Sequence, residues 1–171
     1  MTVILDTGRM HPMPDAVIVV AGPPGAGKST IGAALADALG APLLDLDELA
    51  PLPFAGTRDQ RYALLIPAAR TSIKAGRAPV LVAPFTQEIA SPKAWVEFCG
   101  KLSASVVRLV YLRIDEDERH RRLRDRRAPR DELHGVDPAA HPSRLHPDVL
   151  ALVLDAAEPV ERSVARILGS L

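Results

Sequence analysis

Short apolar runs rich in β-branched residues alternate along this chain with longer stretches whose apolar positions recur every three to four residues. The first run, Ala16-Val17-Ile18-Val19-Val20-Ala21, has the length and composition of one buried parallel strand. After it Ile31, Leu35, Ala38 and Leu39 recur at helical spacing, and Gly40 supplies a stop. Pro42 and the apolar residues that follow it suggest a second strand within 41–49, with acids at its C-terminal end. Tyr62, Leu65, Ile66, Ala69 and Ile73 form the stripe of a helix over about 58–75, capped by Thr57 or Asp59 and closed by Gly76. Residues 79–83 read as a third buried strand. Residues 91–101 read as a helix around Trp95, Val96 and Phe98, with Pro92 suited to its first turn. Residues 105–114 form a fourth strand interrupted by Arg108, and the acids at 115–118 open a further helix. A fifth strand over 149–154 ends at Asp155. Pro159 then begins a last helix with Val160, Val164, Ile167 and Leu168 on its inner face. No repeat or low-complexity linker divides the chain, so residues 1–171 are expected to form one domain. Residues 1–15, broken by Gly8, Pro12 and Pro14, are expected as a loosely attached lead-in.

Between the first strand and the first helix stands Gly22-Pro23-Pro24-Gly25-Ala26-Gly27-Lys28-Ser29, which reads G-x-x-x-x-G-K-S. Glycines let backbone N–H groups surround a phosphate, and the helix N-terminus adds partial positive charge. Lys28 can reach the β- and γ-phosphates, and the Ser29 hydroxyl can ligate Mg²⁺; Thr30 completes the first helical turn. The bland alternative is a glycine-rich turn with a solvated lysine. Strand, glycine loop and helix together are the setting a nucleoside triphosphate site requires.

The second strand brings Asp45 and Asp47 to the edge on which open α/β sheets bind ligands. Two apart on an extended strand, their side chains would share a face. One carboxylate can then hold Mg²⁺ through water while the other accepts a proton from a substrate hydroxyl. The competing reading is an acidic N-cap for the next helix, at Glu48 or Asp47. Arg58 and Arg61 begin the 58–75 helix, where cations oppose the dipole, which hints at anion or substrate binding. After the third strand, Ala83 and Pro84 stand where many nucleotide-binding proteins carry a metal-ordering Asp. Thr86, Gln87 and Glu88 follow as polar groups able to touch an acceptor, or simply as a solvated loop.

Bases crowd residues 119–130. Acids first and bases last fit a helix beginning near residue 115, but not Arg126, Arg127 and Arg130 beyond its expected end. Residues about 124–146 read as a mobile lid with these arginines as phosphate-clamping fingers. A nucleic-acid patch would need interleaved aromatics, and there are none. His134, His141 and His146 lack metal-ligand spacing. Lysines plus arginines and the acids balance at 21 each, which gives no electrostatic reason to expect nucleic acid or an anionic membrane. Cys99 stands alone as a small half-buried hydrophobe, so no internal disulfide forms. There is no bilayer-length apolar run and no secretory signal pattern, and a cytoplasmic protein is expected.

By its phosphate loop, the D-x-D of Asp45 and Asp47 and its arginine-rich segment, the chain resembles the small P-loop kinases over roughly residues 16–170. That group holds shikimate and gluconate kinases, nucleoside monophosphate kinases, chloramphenicol phosphotransferase and bacterial AAA family ATPases of the kinase type. The resemblance implies an α/β three-layer sandwich, with a five-stranded parallel sheet of order 2-3-1-4-5 and an Arg-rich lid. It implies that Gly22 to Thr30 hold ATP, that Ser29 and Asp45 order Mg²⁺ and that Asp47 binds or deprotonates the acceptor. It also implies that Arg126 and Arg130 contact ATP and the transferring phosphoryl. Arg58, Arg61 and Thr86 complete the expected acceptor side. The chain lacks the gluconate-kinase acceptor signature and the glycine triplet of shikimate kinases, so the resemblance names no acceptor. The function expected is transfer of the γ-phosphoryl to a small-molecule hydroxyl. A kinase of nucleotides or polynucleotide 5′-hydroxyls, and a nucleotide-binding regulatory module, are the alternatives.

Overall fold

A computed structural model describes residues 16–51, 56–126 and 147–171. In chain order they form β1 (Ala16–Ala21), α1 (Lys28–Leu39), β2 (Leu43–Asp45), α2 (Leu46–Leu49), α3 (Arg58–Lys74) and β3 (Val80–Val82). There follow α4 (Pro92–Leu102), β4 (Val106–Arg113), α5 (Glu116–Arg126), β5 (Leu152–Asp155) and α6 (Val160–Leu168). The five strands make one parallel sheet of order β2-β3-β1-β4-β5, as expected. Among the described residues no helix is long and apolar enough to cross a membrane. The lead-in expected at 1–15 lies outside the described residues, as does nearly all of the expected lid.

Alternation along the strands divides the core in two. Val17, Val19, Leu81, Leu109 and Tyr111 face the cluster that includes Leu65 and Ala69 of α3 and Phe98 and Leu102 of α4. Ile18, Val20, Val82, Val110 and Leu112 face the other, with Ile31 and Leu35 of α1 and Ile167 of α6. Helices therefore cover both faces of a sheet whose central strand, β1, has no exposed residue from Val17 to Ala21. That double burial explains why β1 and β3 read as unbroken apolar runs.

Local chemistry sets the helix ends. Thr57 Oγ1 accepts from Gln60 N at 3.3 Å while Gln60 Oε1 accepts from Thr57 N at 2.8 Å, a capping box that starts α3. Ser91 caps α4 through its hydroxyl, with Pro92 in the first turn. Most element ends lie within a residue of those read in the sequence, and two differ for reasons the contacts show. β2 ends at Asp45, because its carboxylate accepts Asp47 N at 2.9 Å and turns the chain into α2. β5 begins at Leu152 rather than 149, because the backbone at Asp148 is held by the Ile89 carbonyl at 3.0 Å, away from β4. Val149 and Ala151 still pack against the core from that irregular segment.

α1 lies very close to the sheet. A Cβ built on Gly32 would stand 2.3 Å from Val82 Cγ2 and 3.4 Å from Leu43 Cδ1. Replacing Gly32 by alanine gains about 1 kcal/mol of helix propensity, but overpacking of this kind costs about 1–3 kcal/mol. Gly32→Ala should therefore lower the urea midpoint. Adding Val82→Ala should recover part of the loss, giving a double mutant more stable than the sum of the single changes. Strictly additive effects would show that the clash is not the cause.

Candidate phosphate-binding and acceptor site

The loop that leaves β1 is built around Gly22. Its φ is 145°, and a Cβ there would lie 2.7 Å from the Leu112 carbonyl oxygen of β4, so only glycine fits. The loop closes on itself where Ala26 N donates to Pro23 O at 3.2 Å. Lys28 Nζ donates to that same carbonyl at 3.0 Å. Gly27, at φ 84°, precedes α1 with no side-chain cap on the helix N-terminus, and Ser29 and Thr30 are exposed in its first turn. Uncapped N–H groups, helix dipole and lysine thus converge at one point, as anion binding demands. Beside the loop a cavity of about 100 Å³ opens between Ala26, Gly27 and Thr30 on one side and the turn from Asp155 to Glu158 on the other.

α5 closes the far wall of this loop. Arg122 gives Nε to Glu118 at 2.6 Å, Nη1 to the Gly25 carbonyl at 3.5 Å and Nη2 to the Ala156 carbonyl at 3.0 Å. It ties the phosphate loop to the turn that lines the cavity. Hydrogen bonds from Arg121 and Arg122 hold the Glu118 carboxyl down at about 2. Arg119 packs beside Gly25 and is fully buried. Reading the sequence for arginines beyond the helix end passes over both Arg119 and Arg122. The signal was their spacing of three, which places them on one helical face while Arg121 and Arg124 turn to solvent. Arg126 ends α5, and its side chain lies outside the described residues; Arg127, Arg130, His134, His141 and His146 lie outside them altogether.

On the acceptor side the structure gathers Asp45, Asp47, Arg58 and Arg61 near the C-terminal ends of β2 and β3. Asp45 is 5% exposed and serves as the N-cap of α2, the role the sequence reading offered to Asp47 or Glu48. Asp47 sits on α2 rather than on a strand face shared with Asp45, and its carboxylate accepts Arg61 Nη2 at 3.1 Å. Arg61 Nη2 also donates to the Ala50 carbonyl at 3.1 Å. Arg58 gives Nη2 to Glu88 at 2.6 Å and Nη1 to Gln87 at 3.1 Å, with its guanidinium 4.0 Å above the Tyr62 ring. The arginines that oppose the α3 dipole are thus held by acids from α2 and from the loop after β3. That loop starts at Phe85, buried with a positive φ of 52°, whose N–H donates to the Tyr62 hydroxyl at 2.9 Å. A bulky residue in this conformation stores strain of about 1 kcal/mol or more, supported here by ring contacts with Tyr62 and Phe98. Thr86, half-buried, follows it. Cys99 is half-buried as expected, and burial raises its thiol pKa.

Comparison with known proteins gives a consistent picture. A family model described as AAA domain matches residues 17–159. A curated shikimate kinase of Corynebacterium efficiens is 67% identical over 33 residues, which span 19% of this chain and only 20% of that protein. The crystal structure of a shikimate kinase from Bacteroides thetaiotaomicron superposes with a TM-score of 0.62 at 23% identity, over 91% of this chain and 99% of that one. A gluconokinase from Sinorhizobium meliloti superposes with a TM-score of 0.57 at 20% identity, over 93% and 97% of the two chains. The fold is that of the small P-loop kinases.

Tyr62 reports on the strained loop. Burial, and then the charge of Glu88, raise its phenol from the ordinary 10.0 to about 12. The folded state therefore keeps this proton where the unfolded state releases it. The stabilisation is intact below pH 10 and is lost as pH rises from about 10 to about 12. Burial raises Tyr111 in the same direction. In a Tyr111→Phe variant the remaining phenol should ionise near pH 12 by ultraviolet difference spectroscopy; ionisation near 10 would show Tyr62 to be solvated.

Proposed function

The chain belongs to the AAA domain family whose model spans residues 17–159, and from that premise we propose that it is an ATP- and Mg²⁺-dependent small-molecule kinase. The reading is carried by one arrangement: a phosphate loop after β1 and the carboxylates of Asp45 at the end of β2 and Asp47 just beyond it, on the same edge of one parallel sheet with β3 between them.

Each residue has a task that its position allows. The uncapped amides at the start of α1 and the Lys28 ammonium hold the β- and γ-phosphates. In the free protein Lys28 donates to Pro23, so the lysine is kept within the loop that it serves. Arg122 holds the loop against the turn that begins at Asp155, where the base of the nucleotide would lie in the cavity. Among the described residues no three His, Cys, Asp or Glu gather as a metal cage. Mg²⁺ is typically held by phosphate oxygens, water and one or two protein groups. Ser29 and Asp45 would be those groups here, and a bound ion would neutralise charge on the transferring phosphoryl.

Asp47 accepts the proton of the acceptor hydroxyl, its carboxylate oriented by Arg61. Arg58 and Thr86 flank the acceptor, and Arg126 and Arg130 stabilise the charge that spreads over the phosphoryl group. Catalysis is positioning and electrostatics, with no covalent intermediate on the protein. The acceptor is a small molecule with a free hydroxyl.

Incubation with ATP, Mg²⁺ and a panel of sugars, hydroxy acids, nucleosides and antibiotics, followed by ADP release, tests this. One acceptor should stimulate turnover. Lys28→Met should abolish transfer without unfolding the chain, and Asp47→Asn should lower kcat by about 100-fold or more at unchanged nucleotide affinity. Undiminished turnover by Lys28→Met would overturn the assignment. Nucleotide binding with no acceptor turnover would make the chain a regulatory module instead.

A further inference from the structure

Arginines along this edge of the sheet meet acids or carbonyls, but Arg61 leaves its buried Nε unmatched and Arg119 leaves two buried donors unmatched. It is 0% exposed and gives Nη2 to Glu116 Oε1 at 2.8 Å, with His120 Nε2 at 3.5 Å from the same nitrogen. Its Nε and Nη1 are buried without a hydrogen-bond partner. A guanidinium does not escape that cost by losing its proton. The ion pair with Glu116 does not require burial either. Arg121 makes the equivalent i,i+3 pair with Glu118 at 2.8 Å while 60% exposed.

What distinguishes Arg119 is its neighbour. Its Cγ would be 3.5 Å from a Cβ on Gly25, and Leu123 Cγ is equally near, so the Arg119 stem packs on the wall of the phosphate loop. Leucine or methionine would fill that space with no unsatisfied donor. A buried charge is thus kept where an apolar side chain would pack better, directly behind the loop that the proposed function fills with phosphates.

We propose that Arg119 is a positioning charge for polyphosphate, held against Gly25 with Glu116 as a partial counter-charge and offset further when an anionic phosphate chain occupies the loop. The inference rests on the loop being the phosphate site argued above. Arg119 acts through the loop and its field; the groups that touch phosphate are the amides and Lys28. In the free chain the unmatched guanidinium lowers stability, and in the complex nearby negative charge offsets it. One substitution should therefore move stability and affinity in opposite directions.

The test uses the full chain, with melting temperature measured without ligand and tripolyphosphate affinity measured by calorimetry. Arg119→Leu should melt above the parent yet bind tripolyphosphate about tenfold more weakly or worse. Arg119→Lys, which restores the charge, should recover most of that affinity; a purely packing role gives no reason for lysine to rescue binding. Should the leucine variant not fold, Arg119→Met keeps the apolar stem and carries the same comparison. Tripolyphosphate affinity unchanged in the apolar variant overturns the proposal, whatever its melting temperature. A parent that binds neither tripolyphosphate nor ATP overturns the phosphate-site reading itself, a result distinguishable because it precedes any substitution.

Discussion

The contact between Gly22 and the Leu112 carbonyl is the constraint on which the site depends. β1 is the central strand, paired on one side with β3 and on the other with β4. A chain leaving its end must pass the β4 backbone at a separation no side chain tolerates. Passing there, it turns through Gly27 into α1, whose own Gly32 lets the helix settle on Val82. The N-terminus of α1 is thereby fixed over the end of the sheet, with amides that no side chain caps gathered at one point. Two glycines with different physical roles place one anion site: the first permits a close approach of backbone to backbone, the second a close approach of helix to strand.

Around that point the charges are arranged in two groups. On the α5 side, Glu118 is shared by Arg121 and Arg122, and Arg122 spends its other donors on carbonyls of the loop and of the turn after β5. These bonds join α5, the phosphate loop and the turn after β5. On the acceptor side the pairs are Asp47 with Arg61 and Glu88 with Arg58. Isolated surface pairs of this kind stabilise a protein by less than about 1 kcal/mol. Their effect here is geometric, since they hold α2, α3 and the loop after β3 in one arrangement.

Much of this was legible in the chain. β1, β3 and most of β4 are visible as β-branched runs because burial on both faces leaves little polar alternation to blur them, whereas β2 and β5 are short and only partly buried. The phosphate loop is visible because its glycines, lysine and serine meet backbone requirements that few other residues meet. Thr57 and Gln60 announce the start of α3 for the same local reason. The misreadings are decided by single contacts between residues or segments. Whether Asp47 belongs to a strand or a helix turns on one hydrogen bond to Asp45, and the start of β5 turns on one bond to the Ile89 carbonyl. That Arg119 is buried and Arg122 reaches Gly25 depends on where α5 docks, which composition and charge order alone do not reveal. The helical spacing of the two arginines did contain that information, but only for a reader asking which face of α5 meets the loop.

The pairing on the acceptor side also bears on what can bind there. Arg58 and Arg61, read alone, suggest a substrate carboxylate or phosphate. In the fold each already meets a carboxylate, at 2.6 Å and 3.1 Å. An anionic group on an acceptor would compete with Glu88 or Asp47 for donors of a guanidinium whose charge is already paired, which limits its electrostatic gain. A hydroxyl can instead donate to the Asp47 carboxylate while Arg61 stays bound to it, because an ionised carboxylate has about four acceptor sites. With Asp47 as the base proposed above, the arrangement suits a hydroxyl at the reacting end. The strained backbone at Phe85 belongs to this argument. It sets the direction in which Thr86 and Glu88 leave the sheet, and it is held by the hydroxyl of the tyrosine that carries Arg58 on its face.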